Sequence, residues 1–294
     1  MAASASMPRS ITTWRGCCHT KSVITGPVLT TGANSGIGLA TVIEVARRGF
    51  DSVGSVRSAA KARVVRDAAR AAGVEVRTVV LDVADEAQCR RVVDRLQPYG
   101  IVNNAGYGAV GAIEDVSDAE AHAVFETMVF APLRLARLAL PHMREHGGGR
   151  IVNISSIYGL TTTPLSGWYQ GAKHALEGLS DALRVEVAKD NVKVVLVEPG
   201  GFDTGIWEDT RSEVEKRPDS KYRTAYGRLQ ASVRLSRPLM GHPREVAKVI
   251  ARAITVRRPN ARYLVGADAQ AIAFWDRLIP TEIKDRVTRI SLGL

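Results

Sequence analysis

In SGWYQGAKHAL, residues 166–176, a tyrosine and a lysine stand four positions apart in a stretch that reads as a helix. Tyr169 and Lys173 would therefore project from one face, a turn apart. A free phenol, with a pKa near 10, is a poor base at neutral pH, whereas an adjacent ammonium favours its phenolate. Lowering it by roughly three units corresponds to about 4 kcal/mol. The pair alone is a weak signal, because Tyr-x-x-x-Lys arises by chance on many helices. TGANSGIG, residues 31–38, adds a second kind of chemistry. It directly follows a short apolar run and opens a helical one, which is where a phosphate-binding turn belongs. Gly32 permits the tight turn, Gly36 lets backbone approach a pyrophosphate, and Gly38 allows close helix–strand packing. The helix N-terminus then faces the negative charge.

Both groups need a scaffold, and the pattern around them predicts one. VLTTG (28–32) reads as a buried strand, and GLATVIEVARRG (38–49) as a helix stopped at Gly49. Strands follow at 52–56, 74–82, 101–106, 149–156, 192–200 and 261–266. Helices are predicted at 59–73, near 85–97, around 118–146 and at 168–190. Strands alternating with helices imply an α/β fold: a single Rossmann-type, doubly wound parallel sheet with helices on both faces. No composition break splits residues 27–294. The stretch 201–241 is polar and longer than a simple connection, so it is expected to be a lid or substrate loop. Residues 1–26 lack any acid and any clear periodicity, and a disordered tail is expected there. An organellar transit segment, or a start at Met7, would fit the same composition.

With these elements in place, the chain resembles the short-chain dehydrogenase/reductase family. It carries that family's Thr-Gly-x-x-x-Gly-x-Gly as Thr31 to Gly38, LDV at 81–83 and NNAG at 103–106. Ser156 stands thirteen residues before Tyr169, Lys173 follows, and PGGFDT spans 199–204. The match runs from about Pro27 to Gly266, and these motifs in order are far more specific than any one of them. The resemblance implies a dinucleotide held by Gly32, Ser35, Gly36, Ile37, Gly38, Asp82, Val83, Asn104, Ala105, Gly106, Pro199 and Thr204, together with Tyr169 and Lys173. It implies Ser156, Tyr169 and Lys173 as catalytic residues. Tyr169 would be the general acid in reduction and the general base in oxidation, Ser156 would hold the substrate oxygen, and Lys173 the nicotinamide ribose. Members preferring NAD commonly end the second strand with Asp; here Val56 holds that place and Arg57 follows. An arginine pairs with a 2′-phosphate that an acid would repel, so NADP(H) is expected over NAD(H).

The end of the chain, residues 258–280, resembles the hydroxysteroid and retinol dehydrogenase branch, which points to a lipophilic alcohol or ketone. Trp168, Phe202 and Trp207 are candidates for walling an apolar pocket, although core or loop packing would explain them equally well. Two departures stand out. Met128, in FETMVFA, occupies the place of an asparagine that in the family helps connect the lysine to solvent through a water. A thioether is only a weak acceptor. PYGIVNNAG is also about two or three residues shorter than usual before its strand, which could shift the register. Met128 motivates the rival reading, a non-catalytic NADP(H)-binding sensor or scaffold.

The composition excludes several other classes. Of 294 residues 45% are hydrophobic and 24% charged, an ordinary globular balance. No run approaches the roughly 18 consecutive apolar residues of a membrane span. Cys17, Cys18 and Cys89 form neither a disulfide framework nor a metal-ligand spacing, so no metal is expected and a cytoplasmic location is. The net charge of +10 divides as +3 for residues 1–26, −3 for 27–210 and +10 for 211–294. No nucleic-acid motif accompanies it, so no nucleic-acid partner is expected; an anionic membrane surface is the weaker possibility. A homodimer or homotetramer is implied by the resemblance alone.

Overall fold

The computed structural model describes residues 26–205 and 212–294. The predicted tail, apart from Gly26, lies outside the described residues, as do Cys17, Cys18, His19 and Trp207.

Seven Val- and Ile-rich segments form one sheet: β1 (Val28–Thr30), β2 (Ser52–Val56), β3 (Arg77–Val80), β4 (Gly100–Asn103), β5 (Gly149–Ile154), β6 (Val192–Pro199) and β7 (Arg262–Val265). Their order is β3-β2-β1-β4-β5-β6-β7, with every pairing parallel. Successive side chains alternate between two cores. On β5, Ile151 enters the layer covered by α3 (Glu86–Leu96), α5 (Ala131–Glu145) and α6 (Gly167–Glu186). Val152 and Ile154 enter the opposite layer, with α1 (Gly36–Arg47) and α8 (Pro243–Thr255). Helix α2 (Ala59–Ala71) joins that second face through Ala62, Val65 and Ala69. Each fully buried Val, Leu or Ile in these layers contributes roughly 1.5–3 kcal/mol.

Local signals set the boundaries. Asp85 caps α3 by accepting from the Gln88 amide at 2.9 Å. Ser117 and Glu120 close a capping box on α4 (Asp118–Phe125). Gly49 ends α1 with φ +81°, a conformation open to glycine. The early arrival of β4 does not disturb its register, since Val102 pairs with Thr30 and Asn103 with Asn153.

The expected helix at 118–146 is interrupted by a π-helical segment, Glu126–Phe130, centred on Met128. β3 is four residues long and begins at Arg77, shorter than the 74–82 expected. The stretch 201–241 contains a regular helix, α7 (Arg223–Ser236), so it is more than an irregular loop. Helices α8, α9 (Ala267–Leu278) and α10 (Thr281–Leu292) are not among the elements predicted above. For α8 the signal existed, with Pro243 in its first turn and Val246, Ile250 and Ile254 on one buried face.

β1 pairs with β2 on one side and β4 on the other, so the winding reverses between β1 and β4. The crevice above the carboxyl edge of the sheet at such a reversal is the favoured ligand position in open α/β sheets.

Candidate active site at the carboxyl edge of the sheet

The loops after β1 and β4 are tied together at that crevice. Thr31 Oγ1 accepts from the amides of Asn104 at 3.0 Å and Ala105 at 2.9 Å. Asn104 Nδ2 donates back to the carbonyls of Thr31 at 2.9 Å and Gly32 at 3.2 Å. Gly38 makes this closeness possible, because a Cβ there would lie 2.3 Å from the Gly32 carbonyl oxygen. Gly36 has φ +52°, and a Cβ on it would stand 3.3 Å from Thr204. Exposed Ser35 precedes α1 in extended conformation and caps no amide with its side chain. First-turn amides of a helix have no partner within it, so those of Gly36, Ile37 and Gly38 are positioned to receive an anion. A glycine cradle and uncommitted donors at a helix N-terminus fit the pyrophosphate of a nicotinamide dinucleotide.

The other residues expected to touch the dinucleotide are spread along the same edge. Arg57 is exposed immediately after β2, and Asp82 is exposed after β3. The Val83 side chain is turned into the core and its carbonyl accepts from Arg134 at 3.0 Å. Pro199 is buried at the end of β6. A Cβ at exposed Gly106 would touch the Met128 methyl at 3.6 Å, joining this side of the crevice to the tyrosine side.

On that side, β5 ends at Ile154 and carries Ser156 two residues further. The Ser156 hydroxyl accepts from the Tyr158 amide at 3.2 Å and is hydrogen-bonded to the Tyr169 phenol. Gln170 pins the intervening loop, accepting from the Thr163 amide at 3.0 Å and donating to its hydroxyl at 2.9 Å. Lys173 Nζ donates to the Ile154 carbonyl at 2.8 Å and stands 5.6 Å from the Tyr169 ring centre. Ser156, Tyr169 and Lys173 therefore converge on one point.

Their acidities correct one expectation. Burial pushes the Tyr169 phenol up to about 12; the Ser156 hydrogen bond opposes this, and Tyr158 adds to it. Burial pulls Lys173 down to about 8, opposed by the charge of Glu177 one turn along α6. The ammonium does not drive this phenol toward phenolate, because it is directed at a carbonyl while desolvation dominates. Near pH 7 the phenol keeps its proton and is set up as an acid.

Met128 is buried against Val124, Val129 and Ala172, and the Tyr169 ring packs on the same cluster. Insertions of this π-helical kind often mark functional sites. Phe202 belongs to the main core, not to a cleft wall. Trp168 is half-buried edge-on to Phe125, with ring centres 6.4 Å apart. A separate buried cluster of Val110, Ala112, Leu165, Ala225 and Tyr226 packs α7 against the loops after β4 and β5.

Behind the site lies a charged cluster absent from the sequence reading. Arg262 on β7 reaches Glu198 at 3.1 Å, Glu177 at 3.1 Å and Asp181 at 2.7 Å. Glu198 is fully buried, and burial with the Glu177 charge pushes it up to about 7 against the pull of Arg262. Its signal was a lone acid within VVLVEPG, and that of Glu177 its place one turn after Lys173. Because the folded-state pKa exceeds the ordinary value, folding takes up a proton. The stabilisation is complete below about pH 4.5 and is lost as pH rises through about 7. Glu198→Gln is expected to flatten this fall, worth roughly 1–3 kcal/mol, in thermal melts between acid and mildly basic pH. Identical pH slopes in the two proteins would refute it.

A dinucleotide cradle at the winding reversal, beside a serine, a tyrosine and a lysine in contact, defines the class of nicotinamide-dependent oxidoreductases. The chain belongs to the short-chain dehydrogenase/reductase family: the model described as short chain dehydrogenase matches residues 27–215. A relative from Bacillus subtilis (strain 168), "Uncharacterized oxidoreductase YusZ", is 35% identical over 86% of this chain and 93% of its own length. Retinol dehydrogenase 8 of Bos taurus is 34% identical, with 80% of each chain covered. The structure of a single-residue variant of actinorhodin polyketide ketoreductase with NADPH superposes with a TM-score of 0.68 at 30% identity, covering 82% of this chain and 95% of that one. The protein is thus an oxidoreductase acting on alcohol and carbonyl groups, and the non-catalytic reading gains no support from these relatives.

Proposed function

We propose that the protein interconverts a lipophilic alcohol and its carbonyl compound with NADP(H), using Tyr169 as the proton-transferring group. The observation that carries this reading is the convergence of the Ser156 hydroxyl, the Tyr169 phenol and the Lys173 ammonium beside the glycine cradle. A bound nicotinamide supplies hydride chemistry, which leaves the protein to bind, orient and manage the proton. In reduction, Tyr169 donates its phenolic proton to the substrate oxygen, which Ser156 also holds by a hydrogen bond; in oxidation its phenolate form takes the proton from the alcohol. Lys173 binds ribose hydroxyls. Gly32, Ser35, Gly36, Ile37, Gly38, Asn104, Ala105, Gly106 and Thr204 hold the phosphates and nicotinamide end, while Asp82, Val83 and Pro199 bound the adenine and ring positions.

The lipophilic substrate class draws support from the retinol-named relative. Substrates are tested by screening steroid, retinoid, fatty aldehyde and simple ketone compounds with NADPH. Activity confined to small polar ketones would reject that class.

For cofactor choice, no acid stands beside Arg57 at the end of β2, where a carboxylate would hold the ribose. Arg57→Glu is expected to lower kcat/KM with NADPH by about ten-fold or more and to leave that with NADH nearly unchanged. A wild-type preference for NADH would overturn the assignment. A homo-oligomer and a cytoplasmic location complete the reading; the second fits Cys89, which is buried as a free thiol.

A further inference from the structure

Helices α9 and α10 are amphipathic in the wrong sense for a core. On α9, Ala269 is buried and Asp276 turns inward to accept from the Thr161 hydroxyl at 2.8 Å. The opposite side carries Ala271, Phe274, Trp275 and Leu278, spaced i, i+3, i+4, i+7, and the three large ones are 60%, 56% and 59% exposed. α10 has no buried residue at all. Its Leu292 packs on the cluster of Leu165 and Tyr226, whereas Ile283, Val287 and Ile290 form a stripe on the other side, 54%, 61% and 69% exposed. Two consecutive helices thus turn six large apolar side chains to the outside, a concentration that scattered surface residues do not produce.

The charge beside them is mostly positive, although Lys221 is paired with Glu114 at 2.7 Å and Arg237 with Asp203 at 3.2 Å. Residues 220–244 contain Lys221, Arg223, Arg228, Arg234, Arg237 and Arg244 and no acid. Most of this segment is helix α7, which is clamped to α10 where Arg228 donates to the carbonyls of Ile290 at 3.2 Å and Ser291 at 3.4 Å. On α7 and just beyond it, Leu235 and Leu239 are exposed among the arginines. Arg286 borders the α10 stripe by helical spacing, with Glu282 one turn before it, while Asp285 falls on the far side. Asp268 is also turned inward, accepting from the Gly201 amide at 2.6 Å.

We propose that the outward faces of α9 and α10, with basic helix α7 beside them, form a docking surface for an anionic lipid bilayer. An indole and a phenyl ring next to arginines suit the boundary between acyl chains and headgroups, and the apolar stripes suit shallow burial there. A second copy of the chain is a poorer occupant, because a twofold pairing through this face would set arginines against arginines. The surface also lies near the candidate site, since Asp276 holds Thr161 five residues after Ser156. Docking would bring the crevice to the phase in which lipophilic compounds dissolve. The proposal goes beyond the reading above and does not require it, because binding is measured without turnover.

The full chain is tested by co-sedimentation with vesicles of phosphatidylcholine, with and without phosphatidylglycerol, at low and high salt. Partition onto the anionic vesicles is expected to exceed that onto phosphatidylcholine by about ten-fold or more and to fall with salt. Phe274→Ser with Trp275→Ser, and separately Val287→Ser with Ile290→Ser, are each expected to reduce it by about ten-fold, with thermal melts unchanged because these side chains are largely outside the core. Arg234→Gln with Arg286→Gln is expected to reduce the preference for anionic vesicles, and tests the idea even where an apolar variant misfolds. Absence of binding at low salt, equal binding to phosphatidylcholine alone, or an oligomer in analytical ultracentrifugation that Trp275→Ser dissociates would each overturn it.

Discussion

Tyr169→Phe is expected to lower kcat for carbonyl reduction by about 10²–10⁴-fold, with NADPH affinity changed less than about two-fold. The substitution removes one oxygen and keeps the ring that packs on the Met128 cluster and faces Lys173 at 5.6 Å. Apart from the Ser156 hydrogen bond the packing and the glycine cradle are kept, and the loss falls on the proton donor. The phenol, raised to about 12 by burial, retains its proton throughout the working range. Lys173, lowered to about 8, is the group that titrates near neutrality. With the ammonium as the active form, the reduction rate should be level below about pH 8 and decline above it. Initial rates followed by NADPH absorbance, beside a fluorescence titration of NADPH binding, separate the two effects. Equal rates in variant and wild type would place the donor elsewhere.

Gly38→Ala is the second large effect, and it acts on binding and stability. The added methyl would sit 2.3 Å from the Gly32 carbonyl oxygen and 2.5 Å from Asn104 Nδ2. Neither neighbour can yield cheaply. The first is backbone, and the second is committed to the carbonyls of Thr31 and Gly32. A destabilisation of about 1–3 kcal/mol is expected, together with a loss of NADPH affinity of at least about ten-fold as the loop shifts. Gly178→Ala is the matched control: it lies within α6 with nothing inside 4 Å of its added methyl. That change should stabilise by roughly 0.5–1 kcal/mol, since alanine exceeds glycine in helix propensity by about this amount. Chemical denaturation of both variants checks the pair; a Gly38→Ala protein as stable and as tight for NADPH as wild type would contradict the packing described.

Much of the fold was legible because the signals were local. Buried parallel strands read as Val-rich runs, and Thr31-Gly32 and Asn103-Asn104 marked the ends of the two strands that border the crevice. The Ser156, Tyr169 and Lys173 set was legible through motif order, and the structure brings these side chains together. Arg57 and Asp82 could be placed at strand ends, where they are exposed. What escaped depended on tertiary context. The π-helical turn at Met128 escaped because the helix continues on both sides of it and no residue type marks the inserted position. Glu198 looked like an isolated acid until Arg262, 64 residues later, folded beside it. The Tyr169 shift runs against the expected direction because spacing shows that a lysine is near, but not that its ammonium is spent on the Ile154 carbonyl. Helices α9 and α10 were hard to predict because their apolar faces point outward, against the usual pairing of pattern and core.

The most direct measurement follows the hydride. NADPH carrying deuterium at the transferable C4 position is incubated with the protein and a lipophilic ketone, and the product alcohol is analysed by mass spectrometry. Deuterium at the carbinol carbon is expected with the wild-type chain, and almost none with Tyr169→Phe although that variant still binds NADPH. A wild-type protein that binds NADPH tightly and transfers no deuterium to any carbonyl in a broad panel, or a Tyr169→Phe protein that transfers it at the wild-type rate, would contradict the assignment.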